Sequence, residues 1–475
     1  MLANAAEEEA NLRDSSVATQ YTSKINSPQL NSDDTFGEIA KTISCVDVQL
    51  GKDLETSTGN SGAPPAGTNM DRDADPGGHL EEELLMSADL EAMAKLDPVE
   101  TPPCWCCKST FCDFQSEHPF SLRLLEQTSA CCMWWSGLYV DNQGKTPFKR
   151  WKWETVEALN SSWPIRKQFA RKGVYSSDYK IPNADGGKMK ARVYLHTGSL
   201  GQFALRPVML FFHGGGFCIS HHSTKNFDEL CVRFAQQGIV VVSIDYRLAP
   251  EHPFPAGVRD AYAGLRWIMS DEGRSVLGRD CDPVNKLILS GDSAGGTFAL
   301  VIASLLRDGI DADFQPSELS NLRARHLALM YPALLFTPGE PFEERPKTDY
   351  FLIPPILQFF VSAYVPADLE SRKQALLDRR ISPLVAGEHG LPRCTVVVAS
   401  DDALRKGCEI FVRRLEEANI PVKTIHGNSV HGFVTFHFLH EAVRCQKEVF
   451  KDLEYLVNES SATTSSQVHL ELAQQ

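Results

Sequence analysis

The stretch Lys286-Leu287-Ile288-Leu289-Ser290-Gly291-Asp292-Ser293-Ala294-Gly295-Gly296-Thr297-Phe298-Ala299-Leu300 decides the fold. It opens as an apolar run of strand length, and from Gly295 onward its apolar residues follow helical spacing. Between the two lies Gly291-Asp292-Ser293-Ala294-Gly295, a G-x-S-x-G pentapeptide. Its small residues permit a sharp strand-to-helix turn that lifts a serine hydroxyl above the end of a sheet. The pentapeptide alone arises often by chance, but a strand before it and a helix after it mark Ser293 as a nucleophile.

On both sides of this turn the same rhythm repeats. Apolar, β-branched runs at 207–212, 239–244, 286–290, 326–335, 395–399 and 422–425 alternate with helical patterns at 227–237, 258–270, 295–308 and 406–418. This alternation predicts an α/β fold with a mostly parallel sheet and helices on both faces. The near-continuous hydrophobicity of the runs suits strands buried on both faces. Upstream, Phe211-Phe212-His213-Gly214-Gly215-Gly216-Phe217 ends one strand in a glycine-rich loop. Without Cβ atoms, such a loop can turn backbone N–H groups toward a developing oxyanion. Gly214 and Gly215 are the expected donors, joined by Ala294, whose N–H follows the nucleophile.

Three motifs together closely resemble the hormone-sensitive-lipase-like family of α/β-hydrolases in its GDSAG branch. They are His213-Gly214-Gly215-Gly216, the run Asp245-Tyr246-Arg247-Leu248-Ala249-Pro250-Glu251-His252-Pro253-Phe254-Pro255-Ala256, and Gly291-Asp292-Ser293-Ala294-Gly295-Gly296. The resemblance covers roughly residues 193–450 and implies carboxylic ester hydrolysis. It also implies an eight-stranded sheet and a helical cap made from N-terminal helices and an insertion before the acid-bearing strand. Counterparts of the two cap pieces are a Cys/Trp-rich segment, 104–172, and an insertion near 340–380 that contains an apolar stretch from Tyr350 to Phe360.

A serine nucleophile on this scaffold needs an acid and then a base further along the chain. Ser400-Asp401-Asp402-Ala403-Leu404-Arg405 resembles the family's acid-bearing stretch, with Ala403 where proline is usual and Lys406 near a position where a second acid is common. Aligning Leu404-Arg405 puts Asp402 at the acid position, with Asp401 as rival. His431-Gly432-Phe433 resembles the family's His-Gly-Phe and makes His431 the base, with His426 as rival. The resemblance implies that the Tyr246–Ala256 run is structural, with its prolines and Glu251 locking a loop behind the site. His221 and His222, just beyond the glycine loop, are read either as lining the pocket mouth or as solvent-exposed, the latter being favoured. Phe217, Phe359 and Phe360 are candidates for an apolar substrate pocket. This chemistry needs no metal or cofactor.

The chain has 475 residues and 43% apolar side chains, enough to bury a sizeable core. Residues 1–100 carry 6 Lys/Arg and 20 Asp/Glu, so the whole net charge of −14 resides there. Such a balance argues against a nucleic-acid partner, because releasing counterions from phosphates needs clustered Lys and Arg. Residues 1–103 read as a disordered acidic leader, with a possible short amphipathic helix around 81–96, and 458–475 as a disordered tail. The hydrolase domain is placed at 173–457. Removing residues 1–100 is expected to leave ester hydrolysis largely intact.

Six of the thirteen cysteines, Cys104, Cys106, Cys107, Cys112, Cys131 and Cys132, fall in the Trp-rich segment. They can be read as zinc ligands, as acylation sites or as buried free thiols, and the last reading is favoured because only one C-x-x-C spacing is present. No secretory signal and no apolar run of transmembrane length appear, which points to a cytoplasmic protein with peripheral membrane association as an alternative. The sequence therefore predicts a serine esterase or lipase acting on a small ester substrate. The alternatives are a non-catalytic ligand receptor on the same scaffold and a lipid hydrolase recruited to membranes. Oligomeric state leaves no mark in the sequence.

Overall fold

Successive residues of a strand point to opposite faces of a sheet, so a strand that is apolar throughout must feed two cores. In the computed structural model this is what β3 (Val208–Phe212) does. Val208, Leu210 and Phe212 enter one core, and Met209 and Phe211 enter another. The same division recurs in β4 (Val240–Ile244), β5 (Leu287–Asp292), β6 (His326–Met330) and β7 (Arg393–Asp401). The structure describes residues 136–138, 148–160, 173–198, 205–334, 352, 354–365, 375 and 377–459, all within the compact unit Asp75–Gln475. The leader, the 81–96 helix, the six clustered cysteines and the polar tail beyond residue 459 lie outside the described residues.

Three further strands complete the sheet: β1 (Val174–Pro182), β2 (Lys188–His196) and β8 (Val422–Val430). The order is β1-β2-β4-β3-β5-β6-β7-β8. β2 runs antiparallel to both β1 and β4, and every other pairing is parallel. One edge is thus a hairpin, and the rest is wound through crossovers.

Helices cover both faces. On one lie α2 (Lys225–Gln236) and α8 (His440–Asn458), which place Phe227, Leu230, Phe234, Val449 and Leu453 in the second core. On the other lie α3 (Ala256–Met269), α5 (Ala294–Asp308) and α7 (Arg405–Glu417), with α4 (Asp271–Leu277) following α3. Truncating any of the larger buried aliphatic side chains to Ala would cost about 2–5 kcal/mol. The helix within the insertion, α6 (Pro354–Tyr364), begins with two prolines, which suit a first helical turn because its N–H groups are unsatisfied anyway. The 326–335 run ends as a strand at Met330, because Tyr331 turns the chain with φ 36°.

An N-terminal helix, α1 (Arg150–Asn160), is tied to this body by its first residue. The Arg150 guanidinium pairs with the Glu251 carboxylate and donates to the Ala249 carbonyl at 2.8 Å and to that of Cys218. Next to it, Phe148 packs on Phe359 of α6 with ring centroids 5.2 Å apart. The Tyr246–Ala256 run is fastened a second time where Arg247 binds Asp260 (2.7 Å) and pairs with Asp185.

Candidate active site

Strand β5 delivers its last residue, Asp292, directly into the turn, and Ser293 takes φ 52° and ψ −123° before α5 begins. A non-glycine residue held there costs on the order of 1–3 kcal/mol, which the surroundings must offset. They do so through hydrogen bonds on both sides of the peptide. Ser293 N–H donates to the Met330 carbonyl (2.9 Å), and the Ser293 carbonyl accepts from Thr297 and Ala333 N–H (3.2 Å each). At Gly295 a Cβ would collide with the Phe212 carbonyl, so glycine there lets the end of β3 lie against the turn.

The ends of β7 and β8 bring in two more groups. His431 follows the last residue of β8, with Nε2 3.0 Å from Ser293 Oγ and Nδ1 2.7 Å from Asp402 Oδ2. The other carboxylate oxygen of Asp402 accepts the Leu404 N–H at 2.8 Å, and Asp402 is buried. Tyr331 sets the edge of its ring against the imidazole, with centroids 4.9 Å apart. The two rivals are elsewhere. Asp401 ends β7 and accepts a hydrogen bond from Ser400 Oγ, and His426 is exposed on β8. The geometry therefore joins Ser293, His431 and Asp402 in one line.

The glycine loop departs from expectation at one residue. Gly214 N–H, expected to face an oxyanion, donates to Asp292 Oδ1 at 2.8 Å, and a donor held by a carboxylate is not available to a second anion. Gly215 and Gly216 follow with φ 115° and 57°. A Cβ on Gly216 would overlap the Phe360 ring, which stands over the loop from α6. Tyr246 steadies the preceding residue by stacking on His213 (4.3 Å) and donating its hydroxyl to the His213 carbonyl (2.6 Å). Burial holds the His213 imidazole down at about 4, so it is neutral near pH 7. Burial also pushes the Asp292 carboxyl up to about 7, against the opposing pull of His431 and of the Gly214 N–H.

Other expected residues also move. Phe217 and Phe359 are buried in the core: Phe217 turns with φ 62° and stacks on Tyr364 at 4.0 Å, and Phe359 packs against Phe148. Phe360 alone of the three aromatics keeps an accessible ring. His222 is buried, not exposed, with Nδ1 3.4 Å from Asp245, and His221 is half-buried 4.0 Å from Glu157 of α1. Burial raises the Glu157 carboxyl to about 7. Sequence reasoning missed this contact, as it missed Arg150, because neither residue belongs to a motif. Among the described residues no group of three or more His, Cys, Asp or Glu could hold a metal ion, Cys218, Cys231, Cys281, Cys394, Cys408 and Cys445 form no disulfide, and no helix is long and apolar enough to cross a membrane. A surface groove of about 440 Å³ between α2 and α8 is lined by Arg233, Gln446, Lys447 and Lys451 and includes none of the residues around Ser293.

With sheet order, turn and site described, the class of protein is defined: the fold is that of the α/β-hydrolases, whose family model matches residues 209–435. The chain belongs to the hormone-sensitive-lipase-like family of carboxylic ester hydrolases within that fold. Carboxylesterase NlhH of Mycobacterium tuberculosis is 32% identical over 233 residues, 48% of this chain and 67% of that protein. Ethyl acetate hydrolase of Pseudomonas putida is 30% identical over 253 residues, 52% of this chain and 71% of that protein. Among solved structures, the thermostable carboxylesterase EstE1, cloned from a metagenomic library, aligns with a TM-score of 0.53 at 29% identity. That alignment covers 64% of this chain and 96% of EstE1.

Proposed function

We propose that this protein hydrolyses short- to medium-chain or lipid carboxylic esters through an acyl-enzyme on Ser293, with His431 as base and Asp402 as acid partner. The observation that carries the reading is the unbroken line Asp402 Oδ2, His431 Nδ1, His431 Nε2, Ser293 Oγ, with spacings of 2.7 and 3.0 Å at its two hydrogen bonds. As Ser293 Oγ attacks the ester carbonyl, its proton passes to Nε2, and Asp402 holds the imidazole in the tautomer that can accept it. The tetrahedral oxyanion is met by the N–H groups of Gly215, Gly216 and Ala294, each worth about 3–4 kcal/mol in the transition state. Nε2–H then protonates the departing alcohol, leaving the acyl group on Oγ. Water repeats the sequence, giving its proton to Nε2 and its oxygen to the carboxylic acid product. Phe360 over the loop supplies an apolar wall for one arm of the ester, and α6 together with α1 forms the cap.

The test is hydrolysis of p-nitrophenyl esters from butyrate to palmitate by the wild type and by Ser293→Ala. Activity that disappears in the variant supports the reading, and the chain-length profile separates esterase from lipase. A folded wild type without activity overturns it in favour of a ligand receptor.

A further inference from the structure

The hydrogen bond between Gly214 and Asp292 takes no part in the chemistry proposed above, yet it joins the two halves of the site. Asp292 is buried and immediately precedes the nucleophile. A Cβ on Gly214 would run into its carboxylate, so glycine at 214 is demanded by the closeness of the approach. His213 Nδ1 lies 2.8 Å from the Gly214 carbonyl, and Tyr246 holds the His213 carbonyl. The loop is thus fastened at 213 and 214, immediately before the two N–H groups that the proposed chemistry needs.

We propose that Asp292 is a positioning residue: by accepting the Gly214 N–H it sets the distance from Ser293 Oγ to the N–H groups of Gly215 and Gly216. The inference rests on the oxyanion reading given above. From Ser293 the path to the loop is one peptide unit, one short side chain and one hydrogen bond. A donor must come within about 2.7–3.1 Å of the oxyanion to act, and a displacement of about 1 Å costs on the order of 10²-fold in rate. The bond needs an acceptor oxygen and no negative charge. An amide at 292 can replace the carboxylate, while a methyl group cannot.

The experiment compares wild type, Asp292→Asn and Asp292→Ala in the full chain, with circular dichroism to verify folding. It reads kcat and KM for p-nitrophenyl butyrate, inhibition by an alkyl trifluoromethyl ketone whose adduct carries an oxyanion, and hydrogen exchange of the 211–217 peptide. Asp292→Ala should lose about 10²-fold in kcat and in ketone affinity, with KM within about threefold and faster exchange in the loop. Asp292→Asn should stay within about threefold of wild type in every reading. Wild-type kcat and loop exchange in Asp292→Ala would overturn the inference, as would Asp292→Asn as slow as Asp292→Ala. Should the wild type show no Ser293-dependent hydrolysis, the functional reading fails by itself. The exchange comparison then still decides the role of Asp292, faster exchange in Asp292→Ala supporting it and unchanged exchange overturning it.

Discussion

Both ends of the sheet hold a hydroxyl, an imidazole and a carboxylate. At the carboxyl ends of β5, β7 and β8 these are Ser293, His431 and Asp402. At the amino ends of β6 and β7 they are Thr395, His326 and Asp452, the last from α8. The difference lies in the order of the bonds. In the first set the carboxylate holds Nδ1, so Nε2 faces the hydroxyl (3.0 Å) with its lone pair free to accept a proton. In the second the hydroxyl sits in the middle: Thr395 Oγ1 donates to Asp452 (2.6 Å) and lies 2.8 Å from His326 Nε2. Its proton is already committed to the carboxylate, and both Thr395 and His326 are fully buried. Residue types do not make a catalytic set; the sequence of donors and acceptors does.

This contrast breaks most readily at the end proposed to be catalytic. Ser293→Ala should lower kcat on the order of 10⁶-fold with little change in stability, measured on p-nitrophenyl esters and by thermal melts. Asp402→Asn should cost about 10⁴-fold, since an amide stabilises the wrong imidazole tautomer. Asp452→Asn, the same substitution at the other end, should leave kcat within about twofold. Equal losses for the two asparagine variants would end the distinction. Thr395→Val should spare kcat while lowering stability by about 1–3 kcal/mol in urea unfolding, because the partly buried Asp452 loses a donor and the buried His326 loses its hydroxyl partner.

The smallest effect is one of pH. Burial pulls the His326 imidazole down to about 4, below its ordinary value near 6.5. The folded state thus favours the neutral ring, and the stability this gives is present above about 6.5 and lost as pH falls through about 4. The stability difference between wild type and His326→Gln should therefore shrink from pH 7 to pH 4. A difference independent of pH would remove His326 from the acid response.

Where residues act through local pattern, the sequence was legible. The parallel strands announced themselves because burial on both faces demands unbroken apolar runs, and the turn at Ser293 because its small residues stand between a strand and a helix. Asp402 and His431 were readable from short stretches that lie just after strands. The β1–β2 hairpin was harder, since β1 is exposed along much of its length and mixes Tyr, Ser, Asp and Lys. The stack of Phe217 on Tyr364 was not readable, because it depends on a positive φ at Phe217 and joins two segments far apart in sequence. The engagement of Gly214 by Asp292 joins positions 78 apart, and a bond between a side chain and a distant backbone leaves no periodic trace.

Arg150 also bears on how small a working enzyme can be. A fragment beginning at residue 173 would contain every strand among the described residues and all three residues of the proposed triad, and by sequence alone it would look like a complete domain. It would also expose the carbonyls of Cys218 and Ala249 and leave Glu251 without its guanidinium, directly beside the glycine loop. A trimmed version for expression or crystallisation that starts before Phe148 keeps these contacts, and it is expected to be more stable to heat than one that starts at residue 173.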